Sequence, residues 1–129
     1  MLIQGVINPH LLSLVSRVRH TNALVIADAA FPFWPQLETV DISLVKGIPT
    51  IIQALEAILP NWKFGEAYMA LEFKQHNGAE TQAAFARACR GVPITFEPHL
   101  ELKRRVPHAI GLIRTGDTTA YGNIILVSA

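Results

Sequence analysis

The sequence holds one cysteine, Cys89, among 129 residues. A lone thiol cannot close an internal disulfide, and with no second cysteine nearby it cannot build a zinc knuckle or a redox pair, so the expected compartment is reducing and cytoplasmic. Charge is also scarce, at 16% of residues, and it is balanced: 11 Lys and Arg against 10 Asp and Glu, a net charge of +1. That balance offers no electrostatic basis for a nucleic-acid backbone or an anionic membrane as partner. No apolar run approaches the roughly 20 residues that cross a bilayer, because Asp28 interrupts ALVIADAAF. The first twenty residues lack the charged start, continuous apolar centre and small-residue cleavage site of a signal peptide, and read as mature protein. No GxSxG elbow, phosphate loop or GxGxxG occurs. The five histidines show no metal-ligand spacing; Glu72 and His76, four apart, are the nearest approach to one.

What the chain has instead is apolar substance: half its residues are hydrophobic and the mean hydropathy is +0.30. Without a membrane span, such a composition fits a generous core and a surface that pairs with other copies of the chain. No linker, repeat or low-complexity tract divides residues 1–129, so a single domain is expected. HLLSLVSRVRH predicts a helix with His20 at its carboxyl end, and ALVIA (23–27) a strand buried on both faces and closed by Asp28. Thr39 to Ile42 predicts a second strand, and Pro49 opens a helix through IIQALEAILP. A strand over 66–71, a helix over 79–90, a strand over 93–96 and a helical turn in HLELKRR follow. Two more strands are expected over 108–113 and 122–127. The alternation of short strands and helices predicts an α/β fold, a three-layer α/β/α sandwich with a largely parallel sheet.

Three polar clusters interrupt this apolar background. His20 and Asp28 bracket the ALVIA run: they are either a surface cap and an Asx turn, or a proton-transferring histidine with an aspartate partner. His99 and Lys103, four apart, share one face of a helical turn and either form a solvated basic face or present two donors to one small ligand. Tyr121 and Asn123, on either side of Gly122, fall on one side of the last strand by its period of two, where they could bind a polyol by stacking and hydrogen bonds. Cys89 reads as a small core residue.

These clusters, with the segments around them, resemble the RbsD/FucU family of ribose pyranases and fucose mutarotases. The resemblance runs through GVINP (5–9), His20-Thr21, VIADA (25–29) with Pro32, VDISLVKGIP (40–49), EFKQHN (72–77), HLELK (99–103), Arg114-Thr115-Gly116 and YGNIIL (121–126). It implies a ring-like homo-oligomer, commonly a decamer, with monosaccharide sites at subunit contacts and no metal or organic cofactor. It places the proton donor on His20 and sugar contacts on Asp28, His99, Lys103, Tyr121, Gly122 and Asn123. VDISLVKGIP, EFKQHN and HLELK are of the ribose type, whereas AAFP and TAYGN are closer to the fucose type. Phe31, Phe33 and Trp34 depart from the smaller ribose-type loop, and Asp117 stands where Glu is usual after Thr-Gly. The implied reaction is ring opening and reclosure of a free sugar, with His20 protonating the ring oxygen and His99 or water handling the anomeric proton. The competing expectation is a non-catalytic sugar-binding or transport-accessory protein.

One geometric constraint follows from the strand itself. At about 3.3 Å per residue, eight extended residues would hold His20 and Asp28 more than roughly 20 Å apart. Either the chain bends between them or one site takes the two residues from different subunits.

Overall fold

A computed structural model describes residues 1–129. The first helix, α1 (Pro9–Ser16), starts where Asn8 accepts hydrogen bonds from the His10 and Leu11 N–H groups and Pro9 supplies a preset first helical φ. It ends earlier than the sequence pattern suggests. The Arg17 and Val18 N–H groups bond back only three residues, Asn22 Oδ1 takes the Arg19 N–H, and Thr21 reverses the chain at φ 69°. His20 therefore lies in the turn before β1 (Ala23–Ala27), off the helix end.

The remaining elements are β2 (Thr39–Asp41), α2 (Ile51–Ile58), β3 (Phe64–Ala70), α3 (Leu71–His76), α4 (Ala79–Ala88), β4 (Ile94–Glu97), α5 (His99–Arg105), β5 (Gly111–Arg114) and β6 (Ile124–Ser128). Pro49 stands just outside α2, whose first turn is closed by a capping box between Thr50 and Gln53. The expected strand over 108–113 begins three residues late, because Val106–His108 continues α5 as a 3-10 turn.

The six strands form one sheet in the order β2-β5-β1-β6-β3-β4. The β2–β5, β5–β1 and β3–β4 pairings are parallel, as expected of a largely parallel sheet. Strand β6 runs antiparallel to both its neighbours, β1 and β3. Central β1 is covered on both sides, which explains its unbroken apolar run. Leu24 and Ile26 join a larger core with Leu14, Leu55, Ile58, Phe73 and Phe85 from the helices on one face. Val25 and Ala27 join a smaller core with Leu102, Val106 and Phe31 on the other. The result is an unequal three-layer sandwich.

Cys89 is fully buried at the end of α4, and burial pushes its thiol up to about 11. Since the thiolate is the nucleophile, the native protein is expected to resist an aromatic disulfide reagent at pH 8 and to take up one equivalent only when unfolded in urea. Rapid labelling of the native state would show that α4 opens locally.

Candidate functional site

Both walls of the candidate site are built at the carboxyl ends of β1 and β4, where the chain leaves the sheet. After β1, Asp28 Oδ1 accepts the Ala30 N–H at 3.1 Å, an Asx turn that directs the chain outward through Phe31 and Pro32. The Asp28 N–H donates to Asn123 Oδ1 at 2.7 Å, joining this turn to the entrance of β6. After β4, Pro98 leads into α5, whose one-turn spacing sets His99 and Lys103 on a common face. Asp28, Ala30, Phe31, Pro32, His99, Lys103, Tyr121 and Asn123 together line a cavity of about 250 Å³. Pockets for drug-sized ligands span roughly 300–1,000 Å³, so this one suits a small polar molecule.

Tyr121 and Asn123 meet in this cavity for a reason different from strand periodicity. Strand β6 begins only at Ile124, and Tyr121 occupies a left-handed turn at φ 54°. The turn is held by the Gly122 N–H donating to Thr119 O at 3.2 Å and by the Asn77 amide donating to Ala120 O at 2.9 Å. Gly122 faces inward, away from the cavity lining. A Cβ there would sit 3.3 Å from Thr119 O and 3.4 Å from Phe85 Cζ, so glycine lets the turn close onto the core. The Tyr121 ring meets the His99 ring edge-on, with centroids 5.2 Å apart, and the His76 ring is tilted against Tyr121 with centroids 5.1 Å apart.

The electrostatics favour neutral recognition at one histidine. Burial holds the His99 imidazole below the ordinary histidine range and Lys103 pushes it the same way, against the opposing charges of Glu72 and Asp28. His99 Nδ1 is buried without a hydrogen-bond partner in the chain, so it is a polar atom that a bound hydroxyl could satisfy. Burial raises the Asp28 carboxyl above its usual range, while hydrogen bonds from Ala30 and Asn123 oppose the rise. Asn123 is only 3% exposed, and its carbonyl oxygen is committed to Asp28.

His20 is not in this cavity. It is exposed at the opposite end of β1, where its Nδ1 lies 2.7 Å from the Ala129 main-chain oxygen. The antiparallel register fixes this separation: Ala23 pairs with Val127 at the His20 end, whereas Ile26 pairs with Ile124 at the Asp28 end. Because the Ala129 oxygen only accepts, Nδ1 is the donor of this bond, which leaves Nε2 without a partner in the chain.

Two further residues take positions that composition did not reveal. Asp117, 4% exposed, accepts the Ile51 N–H at the start of α2 and the Thr119 N–H, so it organises the site's scaffold and does not line the cavity. Glu72 accepts the His99 N–H with both carboxylate oxygens. No three His, Cys, Asp or Glu side chains are grouped to hold a metal ion, and no helix is long and apolar enough to cross a membrane. Of the aromatic loop, Phe31 is buried and reaches the cavity, Trp34 packs on the smaller core, and Phe33 is 66% exposed.

A model of the RbsD / FucU transport protein family matches residues 1–129. The D-ribose pyranase of Chromobacterium violaceum is 39% identical over 124 residues, covering 96% of this chain and 94% of that protein. The D-ribose pyranase of Geobacillus kaustophilus is 36% identical, covering 96% and 90%. The structure of Bacillus subtilis RbsD complexed with D-ribose superimposes with a TM-score of 0.91 at 29% identity, over 100% of this chain and 98% of that one. The fucose mutarotase of Streptococcus pneumoniae, solved with L-fucose, shares the fold with a TM-score of 0.80 at 21% identity, over 95% and 93%.

Proposed function

The chain belongs to the RbsD/FucU family, and from that premise we propose that it is an isomerase acting on a free monosaccharide, a cytoplasmic mutarotase that interconverts cyclic forms of D-ribose. The observation that carries this reading is the cavity in which Asp28, His99, Lys103, Tyr121 and Asn123 converge. Its carboxylate, ammonium, amide and phenol groups can bind the hydroxyls of one neutral sugar, and its aromatic edges can rest on the apolar ring face. Ribose is preferred over fucose because the pyranases are the more similar relatives in sequence.

Ring opening needs a proton delivered to the ring oxygen and another removed from the anomeric hydroxyl. His20 supplies the first through Nε2, and neutral His99, or a water beside it, receives the second. Asp28 orients the sugar. Reclosure through a different hydroxyl exchanges pyranose and furanose; reclosure onto the other carbonyl face exchanges α and β anomers. A chain that carries His20 and the cavity at opposite ends of β1 performs this only if one copy's His20 enters another copy's cavity. Head-to-tail contacts of that kind close into a ring when the rotation from copy to copy divides a full turn. The exposed apolar side chains Ile3, Ile7, Leu44, Val45, Ile48 and Leu100 give such contacts surface to bury.

Saturation-transfer NMR on the anomeric protons of ribose and fucose tests the activity directly. Exchange faster than the buffer blank is expected for both sugars, with ribose the faster. Folded, assembled protein that binds ribose without accelerating exchange would replace the enzyme with a sugar-binding protein.

A further inference from the structure

The helix behind the cavity touches both of its walls without lining it. Strand β3 turns directly into α3, which carries Glu72 and His76 and is followed by Asn77, and none of the three borders the cavity. Glu72 Oε1 and Oε2 each accept the His99 N–H at 3.1 Å. Helix α5 lacks a side-chain cap of its own, because Pro98 occupies the capping position and has no group to offer. Glu72, 27 residues earlier, takes that place. On the other wall, the Asn77 amide donates to Phe73 O and Ala120 O, and His76 packs against Tyr121.

We propose that Glu72 is a positioning residue: its carboxylate clamps the first turn of α5 and so sets both the place of the His99 imidazole and the charge around it. The proposal rests on the reading of the cavity as the sugar site. It is a role for a residue that touches no sugar, acting only through His99. The groups facing the imidazole are Glu72 from α3, Lys103 from α5 and Asp28 from the end of β1, with the Tyr121 ring against its edge. Burial and Lys103 already disfavour protonation of His99, and of the two carboxylates that oppose them Glu72 acts more strongly than Asp28. Removing that charge makes protonation harder, so the midpoint of His99 moves to lower pH.

The test uses the full, assembled chain with histidine labelled in the ring, and His99→Asn assigns the resonance. Glu72→Gln keeps the shape and one good acceptor but loses the charge; Glu72→Ala loses both. Both are expected to lower the His99 midpoint, by about half a pH unit or more. Glu72→Ala should also raise the KM for ribose about tenfold, the weight of one lost charge-assisted contact at the site, whereas Glu72→Gln should largely restore it. An unmoved midpoint in folded Glu72→Gln overturns the proposal, and this near-isosteric variant answers even if the alanine variant does not fold. A lowered midpoint in a protein that proves to have no exchange activity upholds the clamp and overturns only the proposed reaction.

Discussion

Two inactive variants, mixed, are expected to make an active protein. His20→Ala removes the proton donor and should lower sugar exchange by about 10²- to 10⁴-fold, the usual contribution of a positioned acid or base, while ribose still binds. Asp28→Asn spoils the cavity at the other end of the same strand. If each working site takes His20 from one copy and the cavity from its neighbour, every mixed ring contains some sites with an intact half from each variant. Random assembly at equal amounts makes about one site in four wild type at both positions, and activity near a quarter of the wild-type rate should return. The proteins must be unfolded and refolded together, or produced together, so that subunits exchange. Simple mixing without exchange serves as the blank. Co-assembled rings with no more activity than the single variants would sink the shared site. The physical basis for expecting recovery is the rigidity of β1: buried on both faces and paired on both edges, it cannot fold its two ends together.

The largest stability effect is expected at Asp117. Its Oδ2 accepts the Ile51 N–H at 2.8 Å in a buried setting, its Oδ1 accepts the Thr119 N–H, and its own N–H rests on Thr115 Oγ1, which in turn donates to Ala27 O. Its main-chain oxygen also receives the Ala29 N–H, next to the Asp28 turn. Hydrogen bonds to an ionised acceptor contribute about 1.5–3 kcal/mol, and a buried donor left without a partner costs about 1–3 kcal/mol. Asp117→Ala strands two donors, so a loss of about 3 kcal/mol is expected, a fall in Tm of roughly 10 °C at fixed protein concentration. Asp117→Asn keeps one acceptor and should lose about half as much. Calorimetry on the two variants decides it: an alanine variant within about 0.5 kcal/mol of wild type, the range of ordinary surface substitutions, would show that water replaces the carboxylate freely. Because the Ala29 and Thr119 segments flank the cavity, the alanine variant should also bind ribose more weakly than wild type.

Local pattern was enough to find most elements and to single out five polar residues that line the cavity, Asp28, His99, Lys103, Tyr121 and Asn123. ALVIA suits a strand covered on both faces, and the apolar spacing of IIQALEAI suits a helix with one buried side, and both form as expected. The one-turn spacing of His99 and Lys103 likewise places both on a single face. Helix α3 is not legible in the sequence because it is six residues long, has no side-chain cap and follows β3 without a break, so neither period has room to show. The Tyr121 turn reads as strand in the sequence because YGN alternates like one, while its conformation is imposed by Asn77 and Thr119, neither of which is part of that run.

By itself, the sequence determined the alternation of strands and helices and so the fold class, which depend on short-range periodicity; the family and the polar groups of the cavity were legible through the resemblance of motifs such as VIADA, HLELK and YGNIIL. Only the tertiary structure decided the direction of β6, the burial of Asp117 beneath α2, the grip of Glu72 on His99, and the place of His20 at the far end of β1 from the cavity. Each of these is a pairing between segments tens of residues apart, and such pairings are selected by how whole faces pack and satisfy their hydrogen bonds, which no local stretch of chain encodes.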